Sequence, residues 1–218
     1  MKQSRLKGIY EDKGWFFTQN AVPKVSVYGE RLVYTHGVEY RQWDPKRSKL
    51  GAALKKGVSQ IGIKPGSTVL YLGCSTGTTV SHVSDIVGEE GVVYALDVAP
   101  RVLREMSILA KRRPNVIPIY ASASNPLRYT QLVPQVDVIF MDVAQPNQVE
   151  IFLKNCDCFL KDSGFGLLAL KSRSVDITKK PKKVFEESKK HIETKMKIVD
   201  QRNLDPFELD HAFYVCKR

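Results

Sequence analysis

A glycine turn carries the first chemical signal in this chain. Residues 68–73, TVLYLG, read as a strand, and Gly73-Cys74-Ser75-Thr76-Gly77-Thr78-Thr79 leads into a predicted helix. Glycine lets a backbone turn tightly and lets a ligand approach it, while a new helix offers free N–H groups. A dinucleotide fingerprint needs G-x-G-x-x-G, and a P-loop ends in G-K-[ST]. This turn reads G-x-x-x-G-T-T without lysine, so it matches neither. Asp97 ends the next predicted strand, 20 residues after Gly77. A carboxylate there can accept hydrogen bonds from both ribose hydroxyls of an adenosine group. Its structural alternative is a helix N-cap just before Pro100.

Four more residues have the types that move or steer protons. Lys49 falls on a predicted helix ahead of the sheet, Asp142 ends strand 136–142, Lys171 ends strand 164–171, and His211 precedes the last strand. The carboxyl ends of parallel strands gather at one rim, so Asp142 and Lys171 are expected to converge. Taken singly, each has a plain alternative: a solvated lysine, an acid capping a helix, a structural histidine. No His, Cys or carboxylate grouping has metal-ligand spacing, and no metal is expected.

The elements that must position these groups follow from periodicity. Residues 8–42 read as short strands (GIYED, WFFTQN, KVSVYGE, RLVYTHGVEYRQW), a small antiparallel sheet. Asp44-Pro45 reads as an N-cap and first helical position, starting a helix that runs to about Gln60 and is closed by Gly62 and Pro65. Apolar strands at 68–73, 91–97, 115–120, 136–142, 164–171, 195–200 and 212–216 then alternate with helices near 78–87, 100–112, 146–160 and 181–194. Strands apolar throughout imply a mostly parallel sheet covered on both faces. The last two strands are joined by a loop alone, which fits a closing antiparallel pair. The expectation is an α/β, Rossmann-like architecture with a seven-stranded sheet, divided into a small N-terminal β domain, 1–44, and a main domain, 45–218.

Composition narrows the class. At 218 residues the chain can bury a full core without disulfides. Cys156 and Cys158 are two apart on a predicted helix and point different ways, and all four cysteines read as small buried hydrophobes. No run is long and apolar enough to span a bilayer, and MKQSRLKGIY lacks a signal-peptide core; no membrane association and a cytoplasmic location are expected. Of the net charge of +11, residues 1–60 hold +7 (12 basic, 5 acidic), 61–150 hold −1 (7 and 8) and 151–218 hold +5 (15 and 10). Basic ends around a neutral middle suit a polyanion. Arg41, Lys46 and Arg47, beside Lys49, are the candidates for touching the phosphates of such a polyanion. Lys111, Arg112 and Arg113 form a second cluster at a predicted helix end, where cations also suit the macrodipole.

YRQWDPKRSKLGAAL, YLGCSTGTT, YALDVAP, MDVAQP, LLALKSRSVD and LDPFELDHAFYV, in that order, resemble the fibrillarin family from about residue 30 to 218. The resemblance implies an S-adenosyl-L-methionine-dependent methyltransferase acting on ribose 2′-hydroxyls of rRNA and tRNA. It implies Gly73, Thr78 and Thr79 at the methionine end of that cofactor, Asp97 at its ribose, and Val98 among its contacts. Asp142 and Gln145 are then near the sulfonium, and Ser122 and Ala123 line the base. It also implies a Lys49-Asp142-Lys171-His211 catalytic set. In that set Lys171, its charge disfavoured by a second ammonium, orients or deprotonates the sugar hydroxyl. Asp142 holds Lys171, Lys49 tunes the pair, and His211 orients a lysine or relays the proton. Implied partners are guide RNA, target RNA, a Nop-domain scaffold protein and, through the particle, a kink-turn-binding ribosomal-type protein. Trp15, Phe16 and Phe17 are candidates for the scaffold contact or for core filling. The absence of a Gly/Arg-rich tail points to an archaeal form. Three positions depart from the family: Cys74 stands where alanine is usual, Asp97 where glutamate is, and Ser122 where an aspartate is expected. A stand-alone methyltransferase and a non-catalytic subunit are the competing readings.

Overall fold

The computed structural model describes all residues, 1–218. An N-terminal antiparallel sheet holds β1 (Lys2–Gln3), β2 (Ile9–Asp12), β3 (Trp15–Gln19), β4 (Leu32–Thr35) and β5 (Val38–Gln42), in the order β1-β2-β3-β5-β4. The strand expected at KVSVYGE, residues 24–30, is a loop. Backbone N–H groups of Val27 and Tyr28 donate to the Glu30 carboxylate, so a local acid replaces a strand partner. Helix α1 (Lys49–Lys55) is shorter than expected. Asp44 spends its carboxylate on Lys46 N–H in a tight turn, and the cap is Ser48, whose hydroxyl accepts from Gly51 N–H.

The main sheet alternates as expected: β6 (Thr68–Leu72), α2 (Thr78–Val87), β7 (Val92–Asp97), α3 (Pro100–Ala110), β8 (Val116–Tyr120), β9 (Val136–Met141), α4 (Gln148–Phe159) and β10 (Leu160–Lys171). A short α5 (Ser172–Val175), α6 (Pro181–Ile192), β11 (Lys197–Asn203) and β12 (His211–Lys217) complete it. The elements not foreseen, β1, α5 and a 3-10 turn at Pro126–Tyr129, are too short to show a period. The sheet order is β11-β12-β10-β9-β6-β7-β8. Strand β12 pairs antiparallel with both neighbours and alone runs against the rest.

Alternation explains the uniformly apolar strands. Val69, Tyr71, Val138, Phe140, Leu167, Ala169, Phe213 and Val215 face one core, with Trp43, α1, α2 and α3. Leu70, Leu72, Ile139, Met141, Leu168, Leu170, Ala212 and Tyr214 face the other, with α4 and α6. Successive side chains point to opposite faces, and here both faces are covered. From β6 the chain winds outward through β7 and β8, then returns to the opposite side of β6 with β9. The switch between β6 and β9 is where an open α/β sheet leaves a crevice. Cys74, Cys156 and Cys216 are buried, as expected, whereas Cys158 is only half-buried; all four are free thiols. No helix is long and apolar enough to cross a membrane.

Candidate active site

The same alternation selects the rim residues. Counting on from the core positions, Asp142, Lys171 and His211 all fall on the face that α1 covers. Helix α1 brings Lys49 over that face, and Lys49 Nζ donates to Asp142 Oδ2 at 2.9 Å. Both side chains keep about a fifth of their surface open, 22% and 23%. The acid therefore holds Lys49 and not Lys171, contrary to the sequence expectation. Register gives the reason. Leu168 pairs with Met141, so Asp142 is level with Ala169. Lys171 lies two residues further along, roughly 6.6 Å at the usual strand rise.

Lys171 is exposed and has no acid partner, but its backbone is clamped. The buried Gln148 amide accepts from Lys171 N–H at 3.1 Å and donates to Lys171 C=O at 3.2 Å. His211 sits directly opposite Lys171 across the β10–β12 pairing. Its Nδ1 donates to the Leu209 carbonyl at 2.7 Å, which leaves Nε2 as the acceptor nitrogen. Burial, together with the positive charge of Lys49, lowers its pKa below 6.5 despite the pull of the Leu209 carbonyl. A neutral imidazole near pH 7 follows.

Beyond the ends of β6, β7 and β9 lies a cleft of about 260 Å³. Gly73, Asp97, Val98, Ser122, Ala123, Asp142 and Gln145 line it, together with Ser75, Leu96 and Val102. Gly73 has φ +81°, and a Cβ there would meet the Asp142 carbonyl oxygen at 2.5 Å, so only glycine lets these two strand ends meet. Asp97 is not the cap of α3, which is Ala99. Its carboxylate joins two loops, accepting from Ala99 N–H at 3.0 Å and Ser75 N–H at 3.1 Å. An ionised carboxylate has about four acceptor positions, so capacity for two ribose hydroxyls remains. A glycine floor, an apolar wall and a carboxylate at the lip fit an adenosine-bearing cofactor. Thr78 and Thr79 do not line the cleft. The Thr79 hydroxyl donates to Ser48 Oγ at 2.9 Å, at the start of α1. Burial, then the charge of Asp97, pushes the Cys74 thiol up to about 12, so it stays protonated beside the glycine turn.

The expected phosphate contacts divide. Lys46 and Arg47 are exposed and border a groove of about 680 Å³ shared with Arg31, Lys55, Phe207 and Trp15. Arg41 cannot serve there, because it is wholly buried. Its guanidinium donates to Glu30 at 2.6 Å, to Asp85 at 2.8 Å and to Ser81 at 2.8 Å, a closed set that needs no phosphate. Arg113, from the second basic cluster, is buried on the same Asp85. His82 completes the layer, stacked on Trp43 at 4.5 Å and held by Thr18 and Tyr28 hydroxyls at 2.8 Å each. Of the aromatic trio, Phe17 is buried, Phe16 packs against the core, and only Trp15 stays open at 42%. The sequence reading missed Ser48, His82, Asp85 and Gln148. The run Ser81-His82-Val83-Ser84-Asp85 was a usable signal, since polar residues recur on a helix that lies between two layers.

Comparison with known proteins agrees with this geometry. The family model described as Fibrillarin matches residues 1–218. The fibrillarin-like rRNA/tRNA 2′-O-methyltransferase of Thermococcus onnurineus is 48% identical over 223 residues, 100% of this chain and 99% of that one. The crystal structure of Aeropyrum pernix fibrillarin in complex with natively bound S-adenosyl-L-methionine matches with a TM-score of 0.90 at 41% identity, covering 99% of this chain and 96% of the other. A chain of a fibrillarin/Nop5p complex matches with a TM-score of 0.88 at 38% identity, covering 98% of each. With the family model spanning every residue and the glycine cleft and Lys49–Asp142 pair in place, the chain belongs to the fibrillarin family.

Proposed function

We infer that this protein transfers the methyl group of S-adenosyl-L-methionine to ribose 2′-hydroxyls of RNA, as the catalytic subunit of a ribonucleoprotein. The observation that carries this reading is the Lys49–Asp142 ion pair at the lip of a glycine-floored cleft that fits adenosine. The cofactor supplies an activated methyl on a sulfonium. A ribose hydroxyl is a weak acid, so the chain's own groups must orient its oxygen and take its proton. Asp142 offsets the charge of Lys49 where a second cation, the sulfonium, would otherwise be repelled. Lys171, exposed and fixed through Gln148, faces the incoming sugar and orients or deprotonates its hydroxyl. Neutral His211, with Nε2 open, takes or relays the proton. Gly73, Asp97, Val98, Ser122, Ala123 and Gln145 hold the cofactor.

The substrate strand follows the groove of Lys46 and Arg47, with Arg31 and Lys55 as further phosphate contacts. None of these four cations has an acid partner. No sequence-reading module is present in the chain, so guide RNA supplies target choice. A Nop-domain scaffold carries the enzyme, and a kink-turn-binding protein completes the particle.

The test is methyl transfer from labelled cofactor to RNA by the pure chain, then with scaffold and guide RNA added. Transfer that appears with the guide and moves when its sequence is changed supports the full reading. Equal transfer without scaffold or guide makes the protein a stand-alone methyltransferase. Failure to bind cofactor makes it a structural subunit.

A further inference from the structure

The N-termini of α1 and α2 are joined by one hydrogen bond that neither helix needs for itself. Helix α2 starts from Gly77, in a left-handed conformation with φ +95° and no side-chain cap. Its second residue, Thr79, is buried, and its hydroxyl turns away from the cleft to donate to Ser48 Oγ at 2.9 Å. Ser48, also buried, is the N-cap of α1 and accepts from Gly51 N–H at 3.1 Å. The next residue is Lys49, whose ammonium reaches Asp142. Tyr71, fully buried beneath, meets the same Thr79 hydroxyl and lies within range of the charge of Asp142. One run of contacts therefore leads from the end of the glycine turn, through two hydroxyls, to the base of the catalytic lysine.

Lysine carries its charge on a flexible four-carbon stem, so the ammonium is placed only as well as its backbone is. Helix α1 spans just Lys49–Lys55, a length too short to hold itself. We propose that Thr79 and Ser48 are positioning residues for methyl transfer: the Thr79 hydroxyl fixes the cap of α1 and thereby the reach of Lys49 to Asp142. This rests on the reading that Lys49 and Asp142 belong to the catalytic set. It assigns the Thr79 side chain to the lysine, whereas the family resemblance places this residue at the cofactor.

The test compares Thr79→Val, which keeps the shape and removes the hydroxyl, with Thr79→Ser, which keeps the hydroxyl. Both are measured with the complete chain under the same assembly conditions, alone and combined with Lys49→Ala. Cofactor affinity by calorimetry, kcat and KM for RNA, and thermal stability are read for each. The expected result for Thr79→Val is a fall in kcat on the order of tenfold, since small misplacements near a reacting centre are costly. Cofactor affinity and KM should stay within about twofold, and Thr79→Ser should restore the rate. In Lys49→Ala the added Thr79→Val change should cost little more, because two residues acting through one contact are not additive. The proposal is overturned if Thr79→Val keeps its kcat, if cofactor affinity falls in step with the rate, or if the two losses simply add. If Lys49→Ala itself retains full activity, the catalytic assignment of Lys49 fails, an outcome separate from the others.

Discussion

Two aspartates anchor two charge clusters in this protein, and they differ in one respect. Asp85, on α2, has a side chain with 0% exposure and accepts from Arg41, Arg113, the Thr18 hydroxyl and Ala21 N–H. Asp142, past the end of β9, keeps 23% exposure and accepts from Lys49 alone. The first acid is saturated and ties the N-terminal sheet to the main sheet. The second has spare acceptor positions, a flexible partner and open space in front. A closed cluster holds structure, because leaving any of its charges unpaired is costly. An open one can do chemistry, because a substrate still has somewhere to bind.

The contrast breaks if the two acids respond alike to mutation. Asp85→Asn leaves two buried guanidinium groups short of charge, and we expect about 3–5 kcal/mol of lost stability in urea unfolding. An unfolding midpoint that stays near the parent's would show that the cluster is not what joins the layers. Asp142→Asn should cost under about 1 kcal/mol of stability, as half-open ion pairs contribute little. Its methyl transfer should nevertheless fall by about 100-fold or more, measured in single-turnover assays. A stable, active Asp142→Asn protein would remove Asp142 from the mechanism.

Acid should weaken both regions, the closed one more. Burial, with the positive charges of Arg41 and Arg113, holds the His82 pKa well below 6.5 in the folded chain. The unfolded chain binds this proton more readily, so the stabilisation is complete above about pH 6.5 and fades as pH falls below it. Melting temperatures between pH 7.5 and 5.5 should therefore fall towards acid, and His82→Gln should flatten that slope. His211 is shifted in the same direction with burial as the leading cause, so its variant should flatten the slope too. The smallest effect belongs to the exposed groove. Lys46→Gln with Arg47→Gln should leave stability unchanged while reducing the salt slope of RNA binding by roughly 0.7 per lost phosphate contact. An unaltered slope would move the strand to another surface.

The outer limits of the site were legible early. Gly73 and Asp97 stood out because a turn that only glycine can make and a strand-end carboxylate are local properties. Asp142, Lys171 and His211 could also be placed on one face by counting alternate residues from the apolar core. What could not be counted was the partner of each charge. Lys49 lies 93 residues from Asp142 and Arg41 lies 44 from Asp85, so no local pattern relates them. The groove cations Lys46 and Arg47 and the buried Arg41 look alike in the sequence, and only packing separates them.

The amino-acid sequence by itself determined the alternation of apolar strands and helices, the glycine turn and the acids that close the strands, because periodicity and backbone freedom act over a few residues. The tertiary structure alone decided that Asp142 takes Lys49 and not Lys171, that Arg41 is sealed inside, and that Thr79 turns toward Ser48. Strand register, helix placement and burial fix which charges and hydroxyls meet, and those are properties of distant segments brought together.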